Sequence, residues 1–314
     1  MTPTTPVPTQ TDTIIASAAP LPGRPARPDG LSMLGKLRWG ATHPPLDPGV
    51  PLAGRTVLVT GANTGLGHEA AVQFAALGCA RLLLGVRSAA KGEDAKARIL
   101  ARCPPGRDPA SVVVLTVEMG DFASVMGFVR DLGKEVGGEG GLDAAVLCAG
   151  VGPPRYEAIG GWETGVMVNV LATAAMALGV LPLMDREKGR LCFVNSSGSD
   201  LVRAEWVEGH GGSLLACAND REGWTSMKGY CTVKLLGLAV MKAVARAAGE
   251  DGVVVNAVCP GMCKTDLGRD HPWYEKVAMG IVSPWIHRSA EEGSRFPGQR
   301  HAAGEGEPWE ALAQ

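Results

Sequence analysis

The 314-residue chain predicts an α/β fold made of a single doubly wound parallel sheet with helices on both faces. Three observations carry that reading. From Arg55 onward, short runs of Val, Leu and Ala alternate with helical stretches. The runs are apolar throughout rather than at every second residue, as expected where helices cover both faces of a parallel sheet. A glycine turn joins the first run to the first helix, and strand–helix alternation at this spacing requires right-handed crossovers.

Residues 1–30 are rich in Pro, Thr and Ala without periodicity and read as a disordered leader. Leu31 to Trp39 predicts a short amphipathic helix. Strands follow at Thr56–Val59, Arg81–Val86, Ser111–Val117, Ala144–Leu147, Leu191–Val194 and Val253–Val258. Helices are expected up to Leu77, over Ala89–Ala101 and over Phe122–Val136. Val166 to Met184 carries no charge and is long enough to cross a bilayer. It contains Asn169 and Pro182 and lies between strands, so it reads as a buried helix, not a membrane span.

Composition narrows the partners. With 46% apolar and 20% charged residues a large core can form, and a net charge of −2 gives no electrostatic reason for nucleic acid or an anionic membrane. The 8 cysteines are scattered in apolar runs, as reduced thiols of a cytoplasmic protein would be. Cys259 and Cys263 have no second Cys/His pair nearby, so no metal site is expected. Ile14-Ile15-Ala16 is too short an apolar stretch for a secretory signal.

The turn Gly61-Ala62-Asn63-Thr64-Gly65-Leu66-Gly67 lies between the first strand and the first helix. Glycines there let the backbone turn tightly and approach a pyrophosphate, while the helix start offers free N–H groups. A dinucleotide is the expected ligand. The second strand ends Gly85-Val86-Arg87 instead of in an acidic residue that would hold ribose hydroxyls. A guanidinium there suits a 2′-phosphate, which selects NADP(H).

Tyr230 and Lys234 stand four residues apart, on one face of a helix. A phenol titrates near about pH 10 in water, and an ammonium beside it is expected to lower that value. With these residues the chain resembles the short-chain dehydrogenase/reductase family, from about Leu52 to Arg295. The resemblance implies a Rossmann-type NADP(H)-binding domain over 31–295. It implies Tyr230 as general acid/base, Lys234 as the residue that tunes it and holds the nicotinamide ribose, and Ser196 as the hydrogen-bond partner of the substrate oxygen. Ser197 is adjacent; counting from Arg190 favours Ser196. Asn169 matches the asparagine that supports a proton-relay water. Further cofactor contacts are implied at Glu118, Met119, Gly150, Pro260, Gly261 and Thr265. Cys148-Ala149-Gly150 stands where Asn-Ala-Gly is usual and loses a side-chain hydrogen bond.

A long segment between Ser196 and Tyr230, with Trp206, His210 and Trp224, resembles the retinol-dehydrogenase-like and fungal secondary-metabolism members and is expected to wall the substrate pocket. The resemblance stops at Phe296. With suitable codons, a one-base shift turns residues 295–314 into the usual ending of this subgroup, so 296–314 reads as an atypical tail from a frameshift or a gene-model artefact. The resemblance implies a ketone–alcohol oxidoreductase acting on a lipophilic small molecule in secondary-metabolite biosynthesis, as a homo-dimer or homo-tetramer. The alternatives are an NADP(H)-binding sensor or scaffold without catalysis, which should lack Tyr230 or Lys234, and an epimerase or dehydratase, which should carry a longer C-terminal domain.

Overall fold

Among the described residues, six of the eight strands form one parallel sheet. In chain order the strands are β1 (Thr56–Thr60), β2 (Arg81–Val86), β3 (Val112–Thr116), β4 (Ala144–Leu147), the hairpin pair β5 (Ala158–Ile159) and β6 (Trp162–Glu163), β7 (Arg190–Val194) and β8 (Val254–Val258). The large sheet runs β3-β2-β1-β4-β7-β8. Val59 sits in register with Leu84 on one side and Val146 on the other. The order reverses between β1 and β4, and ligands of such sheets bind beyond the carboxyl ends at that reversal. The computed structural model describes residues 30–46, 51–249, 252–268, 271–272, 283 and 285–295. The expected leader before Gly30 and the tail over 296–314 lie outside them.

Helices α1 (Met33–Thr42), α2 (Gly65–Ala76), α3 (Ala89–Ala101), α4 (Phe122–Val136) and α5 (Thr173–Val180) come before β7. After it come the short α6 (Ala204–Glu208) and α7 (Leu214–Asn219), then α8 (Ser226–Ala248). Local sequence sets the ends. Ser88 accepts the Lys91 N–H to start α3, and Asp121 accepts the Ala123 N–H to start α4, which stops at left-handed Gly137. Alternate residues of β1 enter different cores. Val57 and Val59 pack with Phe74, Leu82, Leu84 and Ile99, whereas Leu58 packs with Leu83, Phe128, Leu132, Met176 and Leu191. A strand that buries both faces has to be apolar at every position, which is why its sequence does not alternate.

The long apolar helix differs from expectation. It begins as a π-helical stretch, Val166–Ala172, continues as α5 and ends as a 3-10 turn at Leu181–Leu183. Pro182 cannot continue an α-helical ladder, which accounts for the tight end. Its hydrophobicity belongs to the core: Ala172, Met176, Ala177 and Val180 are wholly buried beneath the sheet.

Candidate active site

The glycine turn leaves β1 at the sheet's reversal point. Gly61 has φ +68°, and a Cβ there would lie 2.9 Å from the Ala149 Cα. Gly65 has φ +57°, and a Cβ on Gly67 would overlap the Gly61 carbonyl oxygen. These are positions only glycine fills without a shift. Thr64 makes no side-chain cap at the start of α2, so the first-turn N–H groups face the turn with the positive end of the helix dipole. A backbone stripped of Cβ atoms beside a helix N-terminus fits a pyrophosphate. Thr60 Oγ1 accepts the N–H groups of Cys148 at 3.0 Å and Ala149 at 3.1 Å. That hydroxyl ties β1 to the end of β4, where the Cys148 side chain carries no amide.

Other predicted contacts gather around the same mouth. Arg87 stands exposed directly after β2. Thr265 lies over the turn, since a Cβ on Gly65 would be 3.3 Å from its Cβ. Leu66, Cys148 and Pro260 lie close together beside the turn. Gly261 takes φ +72°. Glu118 turns into its own loop, where Oε1 accepts the Gly120 N–H at 3.0 Å, and Met119 is buried beside it.

Ser196, Tyr230 and Lys234 come together beyond β7, whereas Asn169 sits against the end of β4. Ser196 follows the strand and accepts the Gly198 N–H at 3.1 Å. A Cβ on Gly198 would touch both Ser196 Oγ, at 3.4 Å, and the Tyr230 ring, at 3.2 Å from Cε1, so the glycine lets the ring approach. Ser197, by contrast, is exposed, and its N–H donates to Cys259 Sγ. One turn further along α8, Lys234 Nζ donates to the Val194 carbonyl at 3.4 Å and lies 5.7 Å from the Tyr230 ring centre. Asn169 sits in the π-helical stretch. Its Oδ1 accepts from Val151 N–H and its Nδ2 donates to the Val151 carbonyl, both at 2.8 Å. A Cβ on Gly150 would come within 3.1 Å of that Oδ1. Such π stretches often mark functional sites.

Comparison with known proteins identifies the family and the fold. The short chain dehydrogenase family model matches residues 55–209, and a model described as Enoyl-(Acyl carrier protein) reductase matches 201–285. The short-chain dehydrogenase/reductase ffsI of Aspergillus flavipes is 39% identical over 84% of this chain and 78% of its own length. A second, phmF of Phaeosphaeria nodorum, is 38% identical over 83% and 78%. The chain is a short-chain dehydrogenase/reductase. Among solved structures, one from Burkholderia cenocepacia in complex with NADP superposes with TM-score 0.60 at 21% identity, covering 83% of this chain and 95% of that one, which places the fold. As a member of the family the protein is an oxidoreductase on a Rossmann-type fold.

The electrostatics of this short-chain dehydrogenase/reductase correct one expectation. Burial pushes the Tyr230 phenol above its ordinary range, against the opposing influence of the Ser196 hydroxyl, and the thiols of Cys259, Cys231 and Cys263 push the same way. Burial likewise lowers the Lys234 ammonium, against Cys148 and Cys259. Spacing on a helix puts an ammonium near the phenol, but removal from water outweighs that proximity in the chain by itself. The Cys148 thiol is pushed up to about 11 by burial, so it stays protonated.

Sequence reasoning missed the residues that hold these groups. Asn195 Nδ2 donates to the Lys234 carbonyl at 3.0 Å and pins α8 to β7. Glu163, 1% exposed, accepts the Val166 N–H at 2.8 Å and caps the stretch that carries Asn169. Asn219, at the end of α7, accepts the Glu163 N–H through Oδ1 at 2.6 Å. His210 pairs with Asp220 at 3.2 Å and with the Trp206 carbonyl at 2.9 Å, all within the segment between Ser196 and Tyr230. The Asn195 and Asn219 bonds join positions that no local motif links, while Glu163 precedes the apolar helix as a capping carboxylate would.

Proposed function

We propose that this protein is an NADP(H)-dependent reductase that interconverts a ketone and a secondary alcohol on a lipophilic small molecule of fungal secondary metabolism. The observation that carries the reading is the convergence of Ser196, Tyr230 and Lys234 beside the glycine cradle at one end of the sheet. The fungal relatives support the biological setting, and Arg87 supports the phosphorylated cofactor.

Gly61 to Gly67 and the start of α2 would hold the pyrophosphate, Arg87 the 2′-phosphate, and Lys234 the nicotinamide ribose; Pro260, Gly261 and Thr265 would cover the rest. A nicotinamide held there supplies the hydride. Ser196 and Tyr230 both present hydroxyls, and a carbonyl oxygen accepting from the two is oriented and polarised. Tyr230 then gives its proton to that oxygen as it becomes an alkoxide. Its raised pKa keeps the proton available at neutral pH, and Lys234 stabilises the phenolate left behind. Asn169, with its amide locked on Val151, holds the loop at the far side of the relay. In the oxidation direction the same proton returns.

Titration with NADPH and NADH by fluorescence tests the cofactor half. Wild type should prefer NADPH, and Arg87→Glu should lose that preference. Following NADPH consumption over a panel of lipophilic ketones tests the chemistry. Tyr230→Phe should bind NADPH normally yet reduce turnover by about 10²- to 10⁴-fold, the usual contribution of a positioned acid. Undiminished turnover by Tyr230→Phe would sink the assignment.

A further inference from the structure

The phosphate turn Gly61–Gly67 carries no cationic side chain of its own. A cation reaches it from elsewhere. Arg98, on α3, extends across to the turn and donates from Nη2 to the Asn63 carbonyl at 2.7 Å. That single bond to a neutral oxygen leaves the remaining N–H donors of the guanidinium fork uncommitted. Among the described residues no carboxylate pairs with Arg98. One helical turn on, Arg102 is different: it is neutralised by Glu69 at 2.9 Å. So of two arginines one helical turn apart at the end of α3, the one just past the helix serves an ion pair and the other brings net positive charge to the turn.

The approach of Arg98 is held by packing. A Cβ on Gly92 would overlap Val114 and crowd the Val86 side chain, so α3 lies as close to β2 and β3 as a helix can. Ala95 and Ile99 bury the same face. Ser88 fixes the start of α3 one residue after Arg87. The helix therefore starts at the predicted 2′-phosphate residue and reaches the predicted pyrophosphate turn ten residues later. Arg98 also lowers the pKa of His68, second to burial, which shows its charge felt at the start of α2.

We propose that Arg98 is a second guanidinium of the 2′-phosphate site, bridging the Asn63 carbonyl and the phosphomonoester, and that it sets the preference for NADP(H) together with Arg87. This rests on the reading of the site as one for NADP(H). A phosphomonoester carries close to two negative charges at neutral pH, and two guanidiniums match it better than one. Arg suits the bridge because one planar fork can serve a carbonyl and a phosphate at once.

The test uses the full-length protein and four probes: NADPH and NADH by fluorescence titration, and 2′,5′-ADP and 5′-AMP as competitors. Arg98→Ala should weaken NADPH and 2′,5′-ADP by roughly ten- to a hundredfold, the usual loss for a charged hydrogen bond, and leave NADH and 5′-AMP unchanged. Arg98→Lys should recover part of the loss. An arginine that merely braces the turn through Asn63 predicts equal weakening of all four probes, and that result overturns the proposal. So does unchanged NADPH affinity in Arg98→Ala. Wild type that fails to prefer NADPH, or an Arg87 variant that keeps the preference, defeats the underlying cofactor reading separately. Melting curves of each variant show that binding is compared on folded protein.

Discussion

The two halves of the site are shaped by different means. The cofactor end is cut from backbone: Gly61, Gly65 and Gly67 avoid clashes that any Cβ would create, and Thr60 stitches strand ends through two N–H groups. The catalytic end is assembled from side chains of distant segments. Asn195 ties β7 to α8, Asn169 ties the π-helical stretch to Val151, and Asn219 ties α7 to β6. A backbone-shaped site tolerates exchange of side chains around it, as Cys148 illustrates, but it does not tolerate an added carbon. A side-chain-shaped site behaves in the reverse way, with losses spread over many individually modest bonds.

The largest expected effect is therefore steric. Gly67→Ala should abolish NADPH binding in a fluorescence titration and destabilise the fold by about 1–3 kcal/mol, since the new carbon meets the Gly61 carbonyl. Gly78→Ala is the matched control. Gly78 has φ +80° but open space around its missing Cβ. It should cost about 1–2 kcal/mol of backbone strain in a melt and leave NADPH affinity alone. Equal binding losses in both variants would mean that stability, not the shape of the cradle, governs the cofactor end.

This division also decides what the sequence made legible. Apolar runs and glycines are local signals, and the α3 and α4 limits coincide with expectation because Ser88, Asp121 and Gly137 mark them within a few residues. The Tyr230–Lys234 spacing is equally local, and the two do share a face of α8. Arg98, Asn195 and Asn219 act across long stretches of chain, and nothing in their immediate surroundings announces a partner. The π-helical stretch was hidden because uninterrupted apolar residues carry no period. The Tyr230 shift was misjudged for a related reason: spacing reveals a neighbour, whereas burial depends on the whole fold.

An intermediate effect belongs to Glu163, the hinge between α7 and the asparagine stretch. Glu163→Ala leaves the Val166 N–H buried without a partner and should cost about 1–3 kcal/mol in urea unfolding. Burial raises the carboxyl pKa of Glu163, against the N–H groups of Gly165 and Val166. The folded chain then holds its proton to higher pH than the unfolded chain does. This group's contribution to stability falls as pH rises from the unfolded pKa through the raised folded value, and is level above it. Glu163→Gln lacks that slope, so its unfolding midpoint relative to wild type should climb across the window. A constant difference at all pH values would show that the carboxylate is charged in the fold at no cost.

The smallest effect is expected farthest from the cradle, at His210 and Asp220. Burial by itself would raise the Asp220 carboxyl, but the His210 ring and the N–H groups of Glu222 and Gly223 hold it below its usual value. A lowered acid stabilises the fold above its unfolded pKa and loses that contribution as pH falls through the folded value. The pair is partly exposed, with side chains 21% and 27% accessible, so about 0.2–1 kcal/mol is the scale to expect. Its partners all lie between Ser196 and Tyr230, which confines the consequence to that segment. His210→Ala should speed limited proteolysis within residues 197–225 while shifting the global melt little and leaving NADPH affinity intact. If NADPH affinity fell as well, the substrate wall and the cofactor cradle would be mechanically joined, and the contrast between a backbone-shaped and a side-chain-shaped end would have to give way to a single cooperative site.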